Sequence, residues 1–256
     1  MRVGFEHEVH GLRVVDKLAE LDRCHKPGLN LTYEVRDGIV SHCGENKDRI
    51  LIPYDEDKDL ESISSKKDVT APCTFEGCIV RMVDRITYAG RDVEDALVAG
   101  LIREEDIPGD IVGVLGGNNG KIVGVLLEDL IKYSKANGAC IGLSEKRFDA
   151  LSLLIDFNSD KIYKNDQVEK FKKQATYAIN VLFNRLVEDL VQTNRLSEDK
   201  DKLPDASVYR ELEGFIATVG YQDEPDEMIV LDFIAGMTDN YVVHCLDEIF
   251  VPKAIT

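Results

Sequence analysis

Apolar residues recur along most of this chain at spacings of three and four, the period of an α-helix with one buried face. In "FEHEVHGLRVVDKLAELDR" (5–23), Val9, Leu12, Val15, Leu18 and Leu21 fall at every third position and predict an amphipathic helix. The stretch "GLNLTYEVRDGIVSHCGE" predicts a second helix, capped by Asn30 or Thr32, running through about His42 and closed by Gly44. Residues 47–73 are charged and broken by Pro53 and Pro72, and read as a long surface loop. Helices are expected over 75–98, 120–138, 145–158 and 166–192, with a turn at 104–110. In the longest of them Val168, Phe171, Ala175, Ile179, Leu182, Phe183 and Leu186 keep the 3.6-residue period. A polar linker at 194–206 leads to two more helices, 208–221 and 227–250. No internal repeat is present, and the fold class is all-α.

One helix breaks its own pattern. Within 75–98 the apolar positions include Val80, Met82, Val83, Ile86, Val93, Ala96 and Leu97, yet Asp84, Tyr88 and Asp92 interrupt them at intervals of four. Four helical residues advance about 6 Å and drift only about 40°, so the three polar side chains form a stripe about 12 Å long. A carboxylate at one end can hold a hard cation, while a phenol and a second carboxylate can hydrogen-bond hydroxyl groups. The same spacing suits a solvated face on which Arg81, Arg85 and Arg91 supply ion-pair partners, or a core position for the Tyr88 ring. Spacing alone leaves these alternatives open.

Charge narrows the function classes. The 256 residues carry 48 acidic and 31 basic side chains, a formal net charge of −17, which argues against a general binder of nucleic-acid backbones. A small anionic substrate remains possible, because one pocket needs only a few cationic side chains. No run of about 18 apolar residues occurs, so no membrane span is expected. The charged start "MRVGFEHEVHG" differs from a secretory signal, and a cytoplasmic location is expected. The six cysteines read as reduced thiols, mostly buried; the Cys73–Cys78 spacing lacks a second pair and is a poor zinc signature. His7, Glu8 and His10 form H-E-x-H without an identified third ligand and read as a helix-surface pair, while His25, His42 and His244 read as structural. "GVLGGNNGK" (113–121) is not a phosphate loop, because Leu115 and Ile122 stand where Gly and Ser or Thr are required.

Four stretches in order resemble the deoxynucleoside triphosphate triphosphohydrolases of the HD-domain superfamily, often described as dGTPases. "FEHEVHGLRVV" is similar to that family's F-E-H-N-x-Q-S-L-R-I-V, and "GLNLTYEVRDGIVSHCGE" to G-L-N-L-T-x-E-x-L-x-G-I-x-x-H. "VDRITYAGRDVEDALVAGLI" resembles A-D-E-I-A-Y-x-x-H-D-x-D-D-x-x-x-A-G, and "LDFIAGMTDNYVVHCLDEIF" resembles D-Y-I-A-G-M-T-D-R-Y. The resemblance implies a helical HD-domain-like fold, with 1–138 a partial catalytic core and 139–256 a helical region packed on it. It makes Asp84 the last metal ligand of an H…HD…D set, Tyr88 and Asp92 holders of the deoxyribose and its 3′-hydroxyl, and Arg85 a phosphate contact. His7 becomes a catalytic histidine near the scissile phosphate, and Glu8 its acidic neighbour. The implied reaction is metal-dependent hydrolysis, with Mg²⁺ or Mn²⁺, of a dNTP (dGTP among the options) to a deoxynucleoside and triphosphate. A homo-oligomer is implied as well.

The departures are equally specific. The family's H…HD segment precedes its F-E-H stretch, and no His-Asp dipeptide occurs anywhere in this sequence. The chain therefore supplies one of the four family ligands, reads as N-terminally truncated, and is expected not to be a competent enzyme alone. The alternative is a non-catalytic helical module that binds a nucleotide or a partner. Phe5, Val9, Leu12 and Leu18 are expected to be left as an uncovered apolar patch that promotes self-association. Gly90-Arg91 stands where the family often has His, and a bend in the helix is expected there.

Overall fold

The computed structural model describes residues 5–20, 27–43, 47–56, 58–199, 201, 203–221 and 223–252. Leu21, Cys24, His25 and the expected helix stop at Gly44 lie outside the described residues. The elements run α1 (His7–Arg13), α2 (Tyr33–Val40), β1 (Ile50–Leu51), α3 (Phe75–Val98), α4 (Gly109–Leu115), α5 (Asn119–Asn137), β2 (Ile141–Gly142), α6 (Glu145–Asn158), α7 (Asp166–Gln192), α8 (Ser207–Val219), α9 (Asp226–Ala235) and α10 (Asp239–Phe250). The protein is all-α, as the periodicity indicates, and among the described residues the one departure is a two-residue antiparallel pairing of Ile50 with Gly142 and Leu51 with Ile141. No helix among the described residues is long and apolar enough to cross a membrane.

Several local expectations change. The first helix stops at Arg13 and passes into a π-helical turn, Val14–Leu18. The Val15 and Ala19 carbonyls are taken by the Leu29 and Gly28 N–H groups of the returning chain, which ends the helical ladder early. The segment 47–73 is more than a surface loop, since it contributes β1 and buries Leu51, Leu60 and Ile63. The expected single helix at 227–250 is two: Gly236 follows α9, and the Thr238 hydroxyl caps α10 by accepting from the Tyr241 N–H.

The chain forms two compact units, Met1–Asp16 with Leu29–Val168 and Lys17–Gly28 with Glu169–Thr256. The boundary between these two units falls near residue 168. Leu143, Leu151, Leu154 and Phe157 bury in the same apolar cluster as Met82, Ile86 and Val93 of α3, which keeps α6 with the first unit. Thr74 caps α3 by accepting from the Gly77 N–H, and Cys78, Met82, Ile86, Ala89, Val93 and Ala96 recur at helical spacing to make its buried face. The helix continues without a break through Gly90. A Cβ there would sit 2.7 Å from Asn119 Oδ1 and 3.2 Å from Val123 Cγ2, so the glycine lets α5 approach closely.

The expected uncovered patch is mostly covered: Leu12 buries with Val40, Leu60 and Ile63, with Val9 beside them, and Leu18 packs on the core of the second unit. Phe5 alone of the four is exposed, at 52%. In the second unit Leu182, Leu186 and Leu190 of α7 bury with Val208, Leu212, Ile229, Val230 and Cys245. Gly220 ends α8 at φ 72°, ψ 47°, with nothing within 4 Å of where a Cβ would stand. Gly220→Ala is therefore expected to cost about 1 kcal/mol through backbone strain alone, read as a lower urea midpoint with an unchanged slope; an unchanged midpoint contradicts this.

Candidate functional site

The buried face of α3 fixes the roll of that helix, and the roll decides where the polar stripe points. Asp84, Tyr88 and Asp92 all line one cleft in the first unit, of about 220 Å³. Arg81, Arg85 and Ala89 of α3 join them, with His42 and Cys43 beyond α2, Asp48 and Leu51, and Ile155, Asn158 and Tyr163 at the end of α6 and just after it. The two carboxylates are half-buried, while Tyr88 stands at the rim, 63% exposed.

The solvated-face alternative fails for two of its three arginines. Arg81 is 8% exposed and donates to the Thr70 and Ser41 carbonyls at 3.0 and 3.3 Å, with its guanidinium 3.6 Å from the Asp48 carboxylate. Arg85 donates from Nη2 to the Asp48 carbonyl at 2.6 Å, and its guanidinium lies 5.9 Å from the centre of the Phe148 ring. Burial holds the Arg85 guanidinium below its ordinary pKa. Only Arg91 keeps the surface role, pairing with Asp95 at 3.1 Å and Glu94 at 3.4 Å.

At the far end of the stripe the Tyr163 hydroxyl donates a short hydrogen bond to Asp92 Oδ2. Burial lifts the Asp92 pKa; the Tyr163 hydrogen bond lowers it and the Asp95 charge raises it, with a net rise. Loss of water and the Asp92 carboxylate together push the Tyr163 phenol well above its usual value.

At the near end α1 and the residues after α2 converge on Asp84. The His7 ring meets the His42 ring edge-on, with centroids 5.2 Å apart. Glu8 is 6% exposed and accepts a hydrogen bond from the Cys43 thiol. Burial pushes the Glu8 pKa up, but hydrogen bonds from its own N–H and from Cys43, with His7 and His42 nearby, bring it below the usual carboxylate value. Burial, the Glu8 hydrogen bond and the charges of Glu8 and Asp84 push the Cys43 thiol up to about 12. The Asp84 carboxyl is raised by burial, against the opposing influence of His42 and His7.

Of the residues singled out in the sequence, Asp84, Arg85, Tyr88 and Asp92 line the cleft, whereas His7 and Glu8 lie behind it, against His42 and Cys43. His42, Cys43, Asn158 and Tyr163 were not singled out. His42 is the closing histidine of the G-I-x-x-H pattern, so a signal for it was present; Asn158 and Tyr163 have none in their spacing. Among the described residues, His42, Cys43 and Asp84 are a group whose donor atoms all lie within 4.8 Å of one another. An imidazole nitrogen, a thiol sulfur and one carboxylate fit a divalent ion of borderline softness better than one that demands an all-oxygen shell. The five described cysteines are free thiols, and Cys24 lies outside the described residues.

Residues 141–248 match the family described as a phosphohydrolase-associated domain. The whole chain is similar to proteins named deoxyguanosinetriphosphate triphosphohydrolase-like. One from Clostridium tetani is 31% identical over 98% of this chain and 61% of its own length. Another from Caldanaerobacter subterraneus is 28% identical over 99% of this chain and 60% of its own length. One from Clostridium perfringens strain 13 is 27% identical, over 98% and 62%. The chain spans about three fifths of the length of these relatives.

Proposed function

We infer a function from one premise: this chain is a dGTPase-like member of the HD superfamily. We propose that its cleft takes a deoxynucleoside triphosphate and belongs to a hydrolase that releases the deoxynucleoside and inorganic triphosphate. The observation that carries this reading is that both acids of the α3 stripe face one cleft whose near end meets the His7–His42 ring pair. In the reaction water adds to the α-phosphorus, the bond to O5′ breaks, and the leaving oxygen takes a proton.

Asp92, with Tyr88 at the rim, hydrogen-bonds the sugar hydroxyl, and the Tyr163 hydroxyl keeps the Asp92 carboxylate turned into the cleft. Arg81 and Arg85 raise the positive potential on the side where the phosphates would lie. In this reading His7 assists proton transfer at the α-phosphorus or the leaving oxygen, with Glu8 as its acidic neighbour. Asp84 is the carboxylate that would hold a divalent ion; when bound, such an ion neutralises oxyanion charge and lowers the pKa of its water. Cytoplasmic action and association into homo-oligomers belong to the same reading.

Calorimetric titration with each dNTP and its 2′,3′-dideoxy analogue, beside an assay for released triphosphate, tests it. Loss of a hydrogen bond to a charged group should weaken the dideoxy analogue about tenfold or more. In Asp92→Ala that gap should close, as it must when both partners of one interaction are removed in turn. Equal affinity for the two analogues in the unaltered protein contradicts the reading. The non-catalytic alternative predicts the same discrimination without triphosphate release.

A further inference from the structure

The apolar face of α7 continues past the core that buries it. Leu182, Leu186 and Leu190 are fully buried in the second unit, yet the same face runs back through Ile179, Ala175, Phe171 and Val168, where Phe171 is 67% and Ile179 45% exposed. Phe171 and Ile179 lie about 40° to either side of Ala175, and Leu182 about 20° from it, so the four form one ridge. From Lys170 to Val187 the helix carries Lys170, Lys172, Lys173 and Arg185 and no acidic residue, in a chain of net charge −17. In the first unit, Gly38 of α2 and Gly77 of α3 face each other, and a Cβ on Gly38 would lie 4.0 Å from the Gly77 Cα. With no side chain at that crossing, the two helices leave a groove of about 540 Å³, lined by both glycines, Ile39, Val35 and Val80. Val35 and Val80 are 48% and 53% exposed, and the exposed Glu34 and Glu76 line the same groove. An apolar recess between two helices suits the apolar face of a third.

We propose that the α7 ridge of one copy of this chain seats in the α2–α3 groove of a second copy, with Phe171 over the glycine floor and the lysines of the ridge near Glu34 and Glu76. Charge decides between this occupant and a second α7. Two ridges laid together would bring six lysines side by side, whereas the groove offers them two carboxylates. Each copy has one ridge and one groove, so the contact is heterologous, and its repetition makes a ring where the rotation closes. In naming this contact the inference rests on the homo-oligomer of the proposed function, and on nothing about the nucleotide.

Sedimentation of the purified chain over a range of concentrations, without nucleotide, should show reversible self-association that weakens with salt. Phe171→Ala should weaken it about thirtyfold, the loss typical of a buried anchor. Tyr177→Ala, at a side chain 74% exposed on the opposite face of α7, should leave it unchanged. Glu34→Lys with Glu76→Lys should weaken association about tenfold. That pair lowers the net negative charge, so bulk repulsion between copies would predict the opposite change. Lys170→Glu, Lys172→Glu and Lys173→Glu together should weaken association as well, and both reversals in one chain should restore it, because the two signs have been exchanged. All five positions are exposed, and circular dichroism checks that the fold is kept; should a reversal fail to fold, Phe171→Ala beside Tyr177→Ala decides. A monomer at every concentration, Phe171→Ala associating as strongly as the unaltered chain, or combined reversals that do not restore association overturns the proposal. Association sensitive to the lysines but indifferent to the two glutamates points to a different occupant and overturns it too. Failure of the dNTP titrations leaves these results standing, and the reverse holds as well.

Discussion

Asp37→Ala is expected to remove about 3–5 kcal/mol of stability at neutral pH, because it leaves a buried ammonium without its counter-charge. The Asp37 side chain is fully buried and accepts from Lys58 Nζ at 2.6 Å, with the Lys58 side chain only 9% exposed. Its second oxygen accepts from the Cys73 N–H at 2.7 Å, and the Ser41 hydroxyl donates to the first at 3.3 Å. Lys58 also donates to the Ala71 carbonyl at 2.6 Å, so one buried pair ties α2 to both ends of the segment between β1 and α3. Burial by itself raises the Asp37 pKa, but Lys58 and the Cys73 groups more than reverse that, and the carboxyl titrates below its usual value.

The sign follows from that direction. A folded pKa below the unfolded one gives stability that is fully present above about pH 4, the ordinary carboxylate value, and is lost as the pH falls through the folded pKa. Urea unfolding of the two proteins should therefore differ most near pH 7 and converge under acid conditions. A gap below about 1 kcal/mol at pH 7, or one that widens with acid, would contradict this account. The consequence reaches the cleft, because α2 delivers His42 and Cys43 directly after its last turn.

If the proposed function holds, Asp84→Asn in the protein that releases triphosphate should reduce that metal-dependent release by at least about a hundredfold, with the unfolding midpoint nearly unchanged. The substitution keeps the size of a half-buried side chain but removes the one carboxylate of the three-donor group. Loss of a direct ligand costs no less than loss of its outer partners, which is worth 10–100-fold. Asp92→Asn provides the contrast: it touches the sugar in the proposed pose, so KM should rise with a smaller change in kcat. Steady-state kinetics on folded variants separates the two, and a loss confined to KM in Asp84→Asn would sink the ion-holding role.

Much of the fold was legible in the sequence. The limits of α3, α6 and α7 agree with the periodic pattern, with α3 starting at its Thr74 cap, although in α7 the buried stripe is confined to Leu182, Leu186 and Leu190 while Phe171 and Ile179 are exposed. The misreadings lie where tertiary contacts override local pattern. Leu51 pairs with Ile141, about ninety residues on, and α4 was hidden in a stretch rich in glycine whose Ile111 and Leu115 bury in the apolar cluster shared with α3, α5 and α6. Likewise Tyr163 reaches Asp92 from across the cleft, which no spacing along the chain could indicate.

By itself, the sequence determined that the molecule is helical, that one helix has an acid–phenol–acid stripe, and that the motifs around the stripe resemble those of dGTPase-like proteins. These are properties of short-range period and local motif, which a single segment contains in full. Tertiary structure alone decided that the stripe faces a cleft, that Arg81 and Arg85 turn inward, and that His42 and Cys43 stand beside Asp84. Those facts depend on the roll of α3, which is set by the packing of Met82, Ile86 and Val93 against side chains far away in the chain.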